Sequence, residues 1–212
     1  MILMNMSYKS KKKSKLVDPE AGYDIYADYY DEDWTFLKSF ENDVLPKMLG
    51  DLTGKKTLDI GCGNGRLIHH LKNKGGVVTG ADISKKMIES ARKRFPDTEF
   101  IQANAENLPF QNEEFDVVVA AFLIVHLKNP EKMFKEIYRV LKDGGSFILT
   151  NINQRKAPKL KAGRQKIIIK SFYHRPADVR KILETNFFKI EKEEFVYEKT
   201  EWINQIIRAV KF

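Results

Sequence analysis

From residue 56 onward the apolar positions alternate between two rhythms. Short, nearly continuous apolar runs read as buried strands: "KTLDI" (56–60), "GVVTGAD" (76–82), "TEFIQA" (98–103), the start of "FDVVVAAFLIVHL" (115–127) and "SFILTNI" (146–152). Between them lie stretches with apolar residues three and four apart. In "RLIHHLKNK" (66–74) these are Leu67, Ile68 and Leu71. In "SKKMIESARKRF" (84–95) they are Met87, Ile88, Ala91 and Phe95, with Ser84 placed as the N-cap. "NPEKMFKEIYRVLKDGG" (129–145) gives the clearest helical pattern. Asn129 caps it, Pro130 takes the first turn, Phe134, Ile137, Tyr138 and Leu141 share one face, and Gly144 or Gly145 ends it. Strand–helix alternation with wholly apolar strands predicts a parallel sheet covered on both faces.

The rhythm changes after residue 152. "KIIIKSFYH" (166–174) predicts another strand, and "PADVRKILETNF" (176–187) a helix with Val179, Ile182 and Leu183 inward. "FKIEKEEFVYEK" (188–199) and "EWINQIIRAVKF" (201–212) are two extended runs whose short link forces antiparallel pairing. Before residue 50, two helical segments are predicted, one around 20–31 rich in tyrosine and one at 34–49. The expected organisation is a disordered basic tail over 1–16 and a single domain over 17–212, with its core motifs in 56–150.

Composition narrows the class. A chain of 212 residues, 42% apolar and 31% charged, suits one soluble domain with a full core. No run approaches the roughly 20 apolar residues that span a bilayer. The opening places its few apolar residues before its lysines, the reverse of a secretory signal, so a cytoplasmic location is expected. The single Cys62 fits a reducing compartment. Metal-ligand spacing is absent, so no metal is expected. The net charge of +8 is concentrated partly in "KSKKKSK" (9–15), read as a solubilising arm with RNA or acidic lipid as the sharper alternative. A second basic cluster, "NQRKAPKLKAGRQK" (153–166), permits an anionic partner without requiring one.

The chemistry starts at "LDIGCGNG" (58–65). Gly61, Gly63 and Gly65 form G-x-G-x-G, and Arg66 stands where a dinucleotide fold needs its third glycine. No G-K-[ST] follows, which excludes a triphosphate loop of that kind. Asp82 ends the second strand, where a carboxylate can accept from two vicinal ribose hydroxyls. In "NAENLPF" (104–110), Asn104 can meet an exocyclic amine, and the rigid "LPF" turn can wall one face of an adenine. Asp59 lowers the cost of placing a sulfonium or ammonium nearby.

These stretches, with "GADIS", "FDVVVAAFLIVHL" and "EIYRVLKDGG" in the same order, resemble the class I S-adenosylmethionine-dependent methyltransferases over roughly residues 20–150. The branch is similar to the ubiquinone/menaquinone and biotin-pathway enzymes, the methyltransferase type 11 domain. The resemblance implies a Rossmann-like three-layer α/β sandwich. Its seven-stranded sheet is mostly parallel with the last strand antiparallel, under an N-terminal helical cap. It implies S-adenosyl-L-methionine as cofactor, with Asp59, Gly61, Cys62, Gly63 and Gly65 at the methionine portion. Asp82 and Ile83 would meet the ribose and adenine, joined by Met87, Asn104, Ala105 and Glu106. Ala121 and Phe122 would lie near the substrate mouth. "YDIYADYYD" (23–31) resembles the family's entry helix, in which Tyr23 and Tyr30 cover the cofactor. Two departures stand out: Asn104 replaces a frequent Asp, and only His126 remains of a frequent histidine pair.

Methyl transfer needs alignment first and a base only for a poorly acidic acceptor. His126 is the first candidate for that base, with His174 and Tyr173 behind it. His69 and His70 read as structural. The expected acceptor is a small molecule, in a monomer or homodimer. RNA as acceptor, and a non-catalytic S-adenosylmethionine-binding protein, are the alternatives.

Overall fold

The computed structural model describes residues 14–33, 40–41 and 43–212. The lysines at 9–13 and residues 34–39 and 42 of the helix expected at 34–49 therefore lie outside the described residues, while Val44–Leu49 of that segment is helical. Seven strands form the central sheet in the order β4-β3-β2-β5-β6-β10-β9. They are β2 (Lys56–Ile60), β3 (Val77–Asp82), β4 (Glu99–Gln102), β5 (Phe115–Ala120), β6 (Leu141–Ile152), β9 (Phe188–Glu198) and β10 (Glu201–Lys211). Pairing is parallel from β4 through β6, and β10 inserts antiparallel to both β6 and β9. The mostly parallel sheet with an antiparallel last strand is thus present.

Both faces are covered, as continuous apolar strands require. On one side α2 (Val44–Leu49), α3 (Ile68–Asn73) and α4 (Lys85–Arg94) bury Leu45, Met48, Leu71, Ile88 and Ala91 against Val117 and Val119. On the other, α5 (Glu131–Val140) and α6 (Pro176–Thr185) bury Phe134, Ile137, Val179 and Leu183 against Val118 and Ala120. Adjacent residues of β5 thereby serve opposite cores, the period-2 alternation of a strand buried on both sides.

Three expectations are corrected. The helix predicted for 129–145 ends at Val140, because Leu141 turns extended and pairs with Phe115 in the sheet. Gly144, at φ +73°, belongs to a turn inside β6 rather than to a helix end. The tyrosine-rich segment is α-helical only over α1 (Pro19–Tyr26) and continues as a 3₁₀ turn over Ala27–Asp33. Finally, the tail assigned to 1–16 ends earlier. Lys15–Val17 is a strand, β1, in a separate three-stranded sheet with β7 (Leu160–Ala162) and β8 (Gln165–Ile169). β1 pairs parallel to β8, which pairs antiparallel to β7, so Lys15 and Ile167, 152 positions apart in sequence, are joined only by the fold. This small sheet packs on the tyrosines of α1 through Val17, Ala162, Ile167 and Ile169.

Candidate functional site

The C-terminal ends of β2, β3, β4 and β5 point at α1, and the space between is a cavity of about 260 Å³. Such a crevice at the carboxyl ends of the strands is where open α/β sheets take ligands. Its floor is the loop after β2. Gly61 (φ +69°) and Gly63 (φ +55°) adopt left-handed conformations, and a Cβ on Gly61 would press on Leu123 at 3.0 Å. Glycine is thus required for the backbone itself to form the wall.

Asp82 organises this loop. Its Oδ2 accepts from the Gly63 N–H and its Oδ1 from the Ser84 N–H, both at 2.9 Å. Each oxygen keeps a lone pair, and the carboxylate lines the cavity. Ser84 caps α4 by accepting from the Met87 N–H at 3.1 Å, while its hydroxyl donates to Asp24 of α1 at 2.6 Å. The covering helix is thereby fastened to the Rossmann-like core. Across the cavity Asn104 accepts from the Glu106 N–H at 2.9 Å, so its carbonyl oxygen already holds one hydrogen bond. Ile83, Met87, Ala105, Glu106, Ala121 and Phe122 complete the lining with Tyr23 and Tyr30.

Four expectations are revised by packing. Cys62 is buried below the loop, its thiol donating to the Gly63 carbonyl, and is not in the cavity wall. Gly65 makes room for Phe95, whose ring lies 2.8 Å from where a Cβ would sit. The "LPF" turn does not wall the cavity either, since Leu108 is buried in the core and Phe110 packs edge-on against Phe115. Asp59 sits 1% exposed beneath the loop, with its Oδ2 lacking a hydrogen-bond partner among the described residues.

That orphaned carboxylate is pushed up to about 7, chiefly by burial, with Asp82 and Glu41 raising it and Arg66 opposing them. The folded chain therefore holds a proton that the unfolded one, with an ordinary carboxylate near 3.9, has released. This contribution to stability is full below about pH 4 and is lost as pH rises through about 7. Three units at about 1.36 kcal/mol each give roughly 4 kcal/mol. Asp59→Asn is expected to flatten this slope in urea denaturation run from pH 5 to 8. A parent-like slope in the variant would refute the assignment.

A second cavity of about 210 Å³ adjoins the first and shares Tyr23, Tyr30, Phe122 and His126 with it. Tyr26, Phe40, Val125, Ile152, Pro158, Leu160 and Ile169 complete its apolar wall, with Gln154 as a polar member. No charged side chain lines it among the described residues. Phe122 stands at the junction with φ +58°, a strained conformation for a bulky residue, held by its N–H donating to Thr150 Oγ1 at 2.8 Å.

His126 stands at the same junction, and its tautomer follows from its neighbours. The Lys170 carbonyl, 3.0 Å from Nδ1, can only accept, so Nδ1 carries the hydrogen. Nε2 then accepts from the Tyr23 hydroxyl at 2.7 Å. Burial lowers the His126 pKa and raises that of Tyr23 well above its ordinary value, which favours this neutral pair. His174 is placed otherwise. Its Nε2–H donates to the Ile124 and Leu127 carbonyls, both at 3.0 Å, and it lines neither cavity. Tyr173 stacks under Arg155, its ring centroid 4.8 Å from the guanidinium. Neither side chain lines the two cavities.

Sequence reasoning passed over several wall residues, among them Pro19, Leu123 and Leu127, whose types carry no chemical signal, and the carboxyls of Asp18 and Glu20. It also missed the partner of Arg66. The guanidinium is buried in a bidentate pair with Glu41, at 2.6 and 2.7 Å, and lies over the Phe122 ring at 5.2 Å.

The residues fit an adenosyl group bearing a sulfonium. A carboxylate pre-oriented by two N–H donors faces the cavity, and glycine backbone forms the floor. Comparisons agree with that reading. Residues 58–149 match the family model described as a methyltransferase domain. An uncharacterized protein of Methanocaldococcus jannaschii is 35% identical over 62% of this chain and 50% of its own length. A demethylmenaquinone methyltransferase of Clavibacter sepedonicus is 31% identical over 73% of this chain and 64% of its own. The chain thus spans between half and two thirds of these relatives. In fold it is similar to magnesium protoporphyrin IX methyltransferase of Synechocystis, solved with bound S-adenosylhomocysteine. That match has a TM-score of 0.67 at 24% identity and covers 91% of this chain and 94% of the other. The core of the chain is a class I methyltransferase domain of the S-adenosylmethionine-dependent kind.

Proposed function

We propose that the protein transfers a methyl group from S-adenosylmethionine to a hydroxyl on a small, uncharged ring compound seated in the second cavity. The observation that carries this reading is the Tyr23–His126 pair at the junction of the two cavities. In the first cavity Asp82 would hold the ribose hydroxyls. Gly61 and Gly63 would line the methionine portion, and Ile83, Met87, Asn104, Ala105 and Glu106 would surround the adenine. When bound, S-adenosylmethionine supplies an activated methyl group on a good leaving group.

The chain's own residues supply position and a proton acceptor. A hydroxyl at the junction donates to Tyr23 Oη, which keeps lone pairs beyond its bond to His126. As that hydroxyl gives up its proton to Tyr23, the tyrosine proton passes to His126 Nε2, and the imidazolium is held by the Lys170 carbonyl. Phe122, Val125 and the tyrosines exclude water around the pair.

Size and charge select the acceptor. A dry cavity of about 150 Å³ holds a benzene ring, so a chamber of about 210 Å³ suits one substituted ring. A wall without charged groups offers nothing to a phosphate backbone, which disfavours RNA as the acceptor. The two methyltransferases named above are likewise named for small-molecule acceptors. A cytoplasmic location, suggested by the lone buried Cys62, belongs to the same proposal.

The test is transfer of labelled methyl to a panel of monocyclic phenols and to RNA, alongside calorimetry of S-adenosylmethionine binding. Transfer to phenols is expected. Asp82→Ala is expected to weaken cofactor binding about 10- to 100-fold, the worth of charge-assisted hydrogen bonds at about 1.5–3 kcal/mol. Unchanged affinity in that variant, or label entering RNA alone, would defeat the proposal.

A further inference from the structure

The inner face of the small sheet helps wall the second cavity, and its outer face is built for something else. Val17, Ile167 and Ile169 point inward against Tyr26 and Ala162. Strand alternation then turns Leu16, Lys166 and Ile168 outward, and the β1–β8 register sets Leu16 beside Ile168. Lys161 faces Lys166 across the antiparallel β7–β8 pair and joins them on that side. Leu16 is 60% exposed, among the most exposed large apolar side chains described. Exposed Leu16 and half-buried Ile168 thus share one outer face with Lys161 and Lys166.

At the end of β1 Asp18 is ion-paired with Lys170, while the segment that carries β7 and β8 is one-sided in charge. No Asp or Glu occurs between Asp143 and Asp178. Arg155, Lys156, Lys159, Lys161, Arg164 and Lys166 are all exposed, and none is ion-paired among the described residues.

We propose that the outer face of this small sheet docks on a membrane surface of anionic phospholipid, with Leu16 and Ile168 entering the headgroup layer and the surrounding cations meeting lipid phosphates. Single apolar residues combined with basic ones are what an interfacial segment needs, since neither contribution alone holds a protein at a bilayer. RNA would satisfy the cations, but single strands are held by aromatic stacking, and this face offers aliphatic side chains instead. Pro158 and Leu160, in the wall of the second cavity, belong to the same basic segment. Docking therefore brings that cavity to the bilayer surface, the phase into which an apolar, uncharged ring compound partitions. Only this last consequence rests on reading the second cavity as the acceptor site.

The test is sedimentation of the full chain, without cofactor, with vesicles of phosphatidylcholine alone or mixed with phosphatidylglycerol, at low and high salt. Binding to the mixed vesicles only, weakening with salt, is expected. The pair Lys161→Glu with Lys166→Glu should weaken it by about tenfold or more, given about fivefold per basic residue near an anionic leaflet. Leu16→Ser, at an exposed position that leaves the core untouched, should weaken it independently. Equal binding to both vesicle types, or unchanged binding in these variants, overturns the proposal. So does displacement of the protein from vesicles by a ribo-oligonucleotide at lower concentration than by lipid. Vesicle binding without any methyl transfer would support the docking face and count against the proposed activity instead.

Discussion

Replacing His126 with Gln is expected to slow methyl transfer by about 10²–10⁴-fold, the usual worth of a positioned general base. Binding of S-adenosylmethionine should stay close to that of the parent. Gln keeps a side-chain oxygen that can still accept from the Tyr23 hydroxyl, so the wall of both cavities is preserved while the proton has nowhere to go. Tyr23→Phe should impair the rate as well, by removing the atom between acceptor and imidazole. The pH profile gives a second, sharper readout. Burial holds the His126 pKa below its ordinary 6.5, so the parent should lose activity only below that value. The acid limb should disappear from the residual activity of the Gln variant. The same depression means that the unfolded chain binds more protons than the folded one below pH 6.5, so this histidine's stability contribution falls as the pH drops. A variant with parental rate would show that the acceptor loses its proton unaided, and the relay would have to be abandoned.

Glu41→Ala should cost about 3–5 kcal/mol of stability by leaving the Arg66 guanidinium charged and buried without its partner. Both side chains are 7% exposed, and two short hydrogen bonds join them. The arginine stays charged, since its pKa is raised further by the glutamate. Urea denaturation measures the loss. The nearby Asp59 offers a partial remedy, because its unpartnered carboxyl can ionise toward Arg66 once Glu41 is gone. Adding Asp59→Asn to Glu41→Ala should therefore deepen the loss, although Asp59→Asn alone is expected to stabilise the parent above pH 7. Replacing both members of the pair by apolar residues, Glu41→Leu with Arg66→Met, should recover most of the stability, as buried ion pairs commonly allow. A loss below about 1 kcal/mol for Glu41→Ala would place the pair among exposed bridges.

The sheet was legible because its evidence is local. Apolar runs that alternate with helical spacing allow few arrangements of a parallel sheet, and the tight link between the two extended runs from residue 188 onward makes their mutual pairing antiparallel. Ser84 was readable as a cap because capping needs one side chain three residues from its partner N–H. The end of α5 was not readable. Leu141 fits the helical stripe equally well, and only its pairing with Phe115, 26 positions away, turns it into a strand residue.

Residue type and position relative to strand ends were enough to bring Gly61, Gly63, Asp82 and Asn104 to one place, because a parallel sheet gathers the carboxyl ends of its strands. They could not separate Gly63, open to the cavity, from Gly65, whose missing side chain serves Phe95. Nor could they tell His126 from His174. Both precede or follow strands by a few residues, and what differs is the partner of one ring nitrogen: a tyrosine hydroxyl at a cavity in one case, two backbone carbonyls in the other. The chain by itself determined the layered fold and the adenosyl-type crevice, since both follow from periodicity and from glycine and carboxylate positions along a few dozen residues. Only the tertiary structure decided the Glu41–Arg66 pair, the Tyr23–His126 hydrogen bond and the small sheet that joins residue 15 to residue 167. Each of these depends on contacts between segments remote in sequence, for which a linear pattern holds no record of distance.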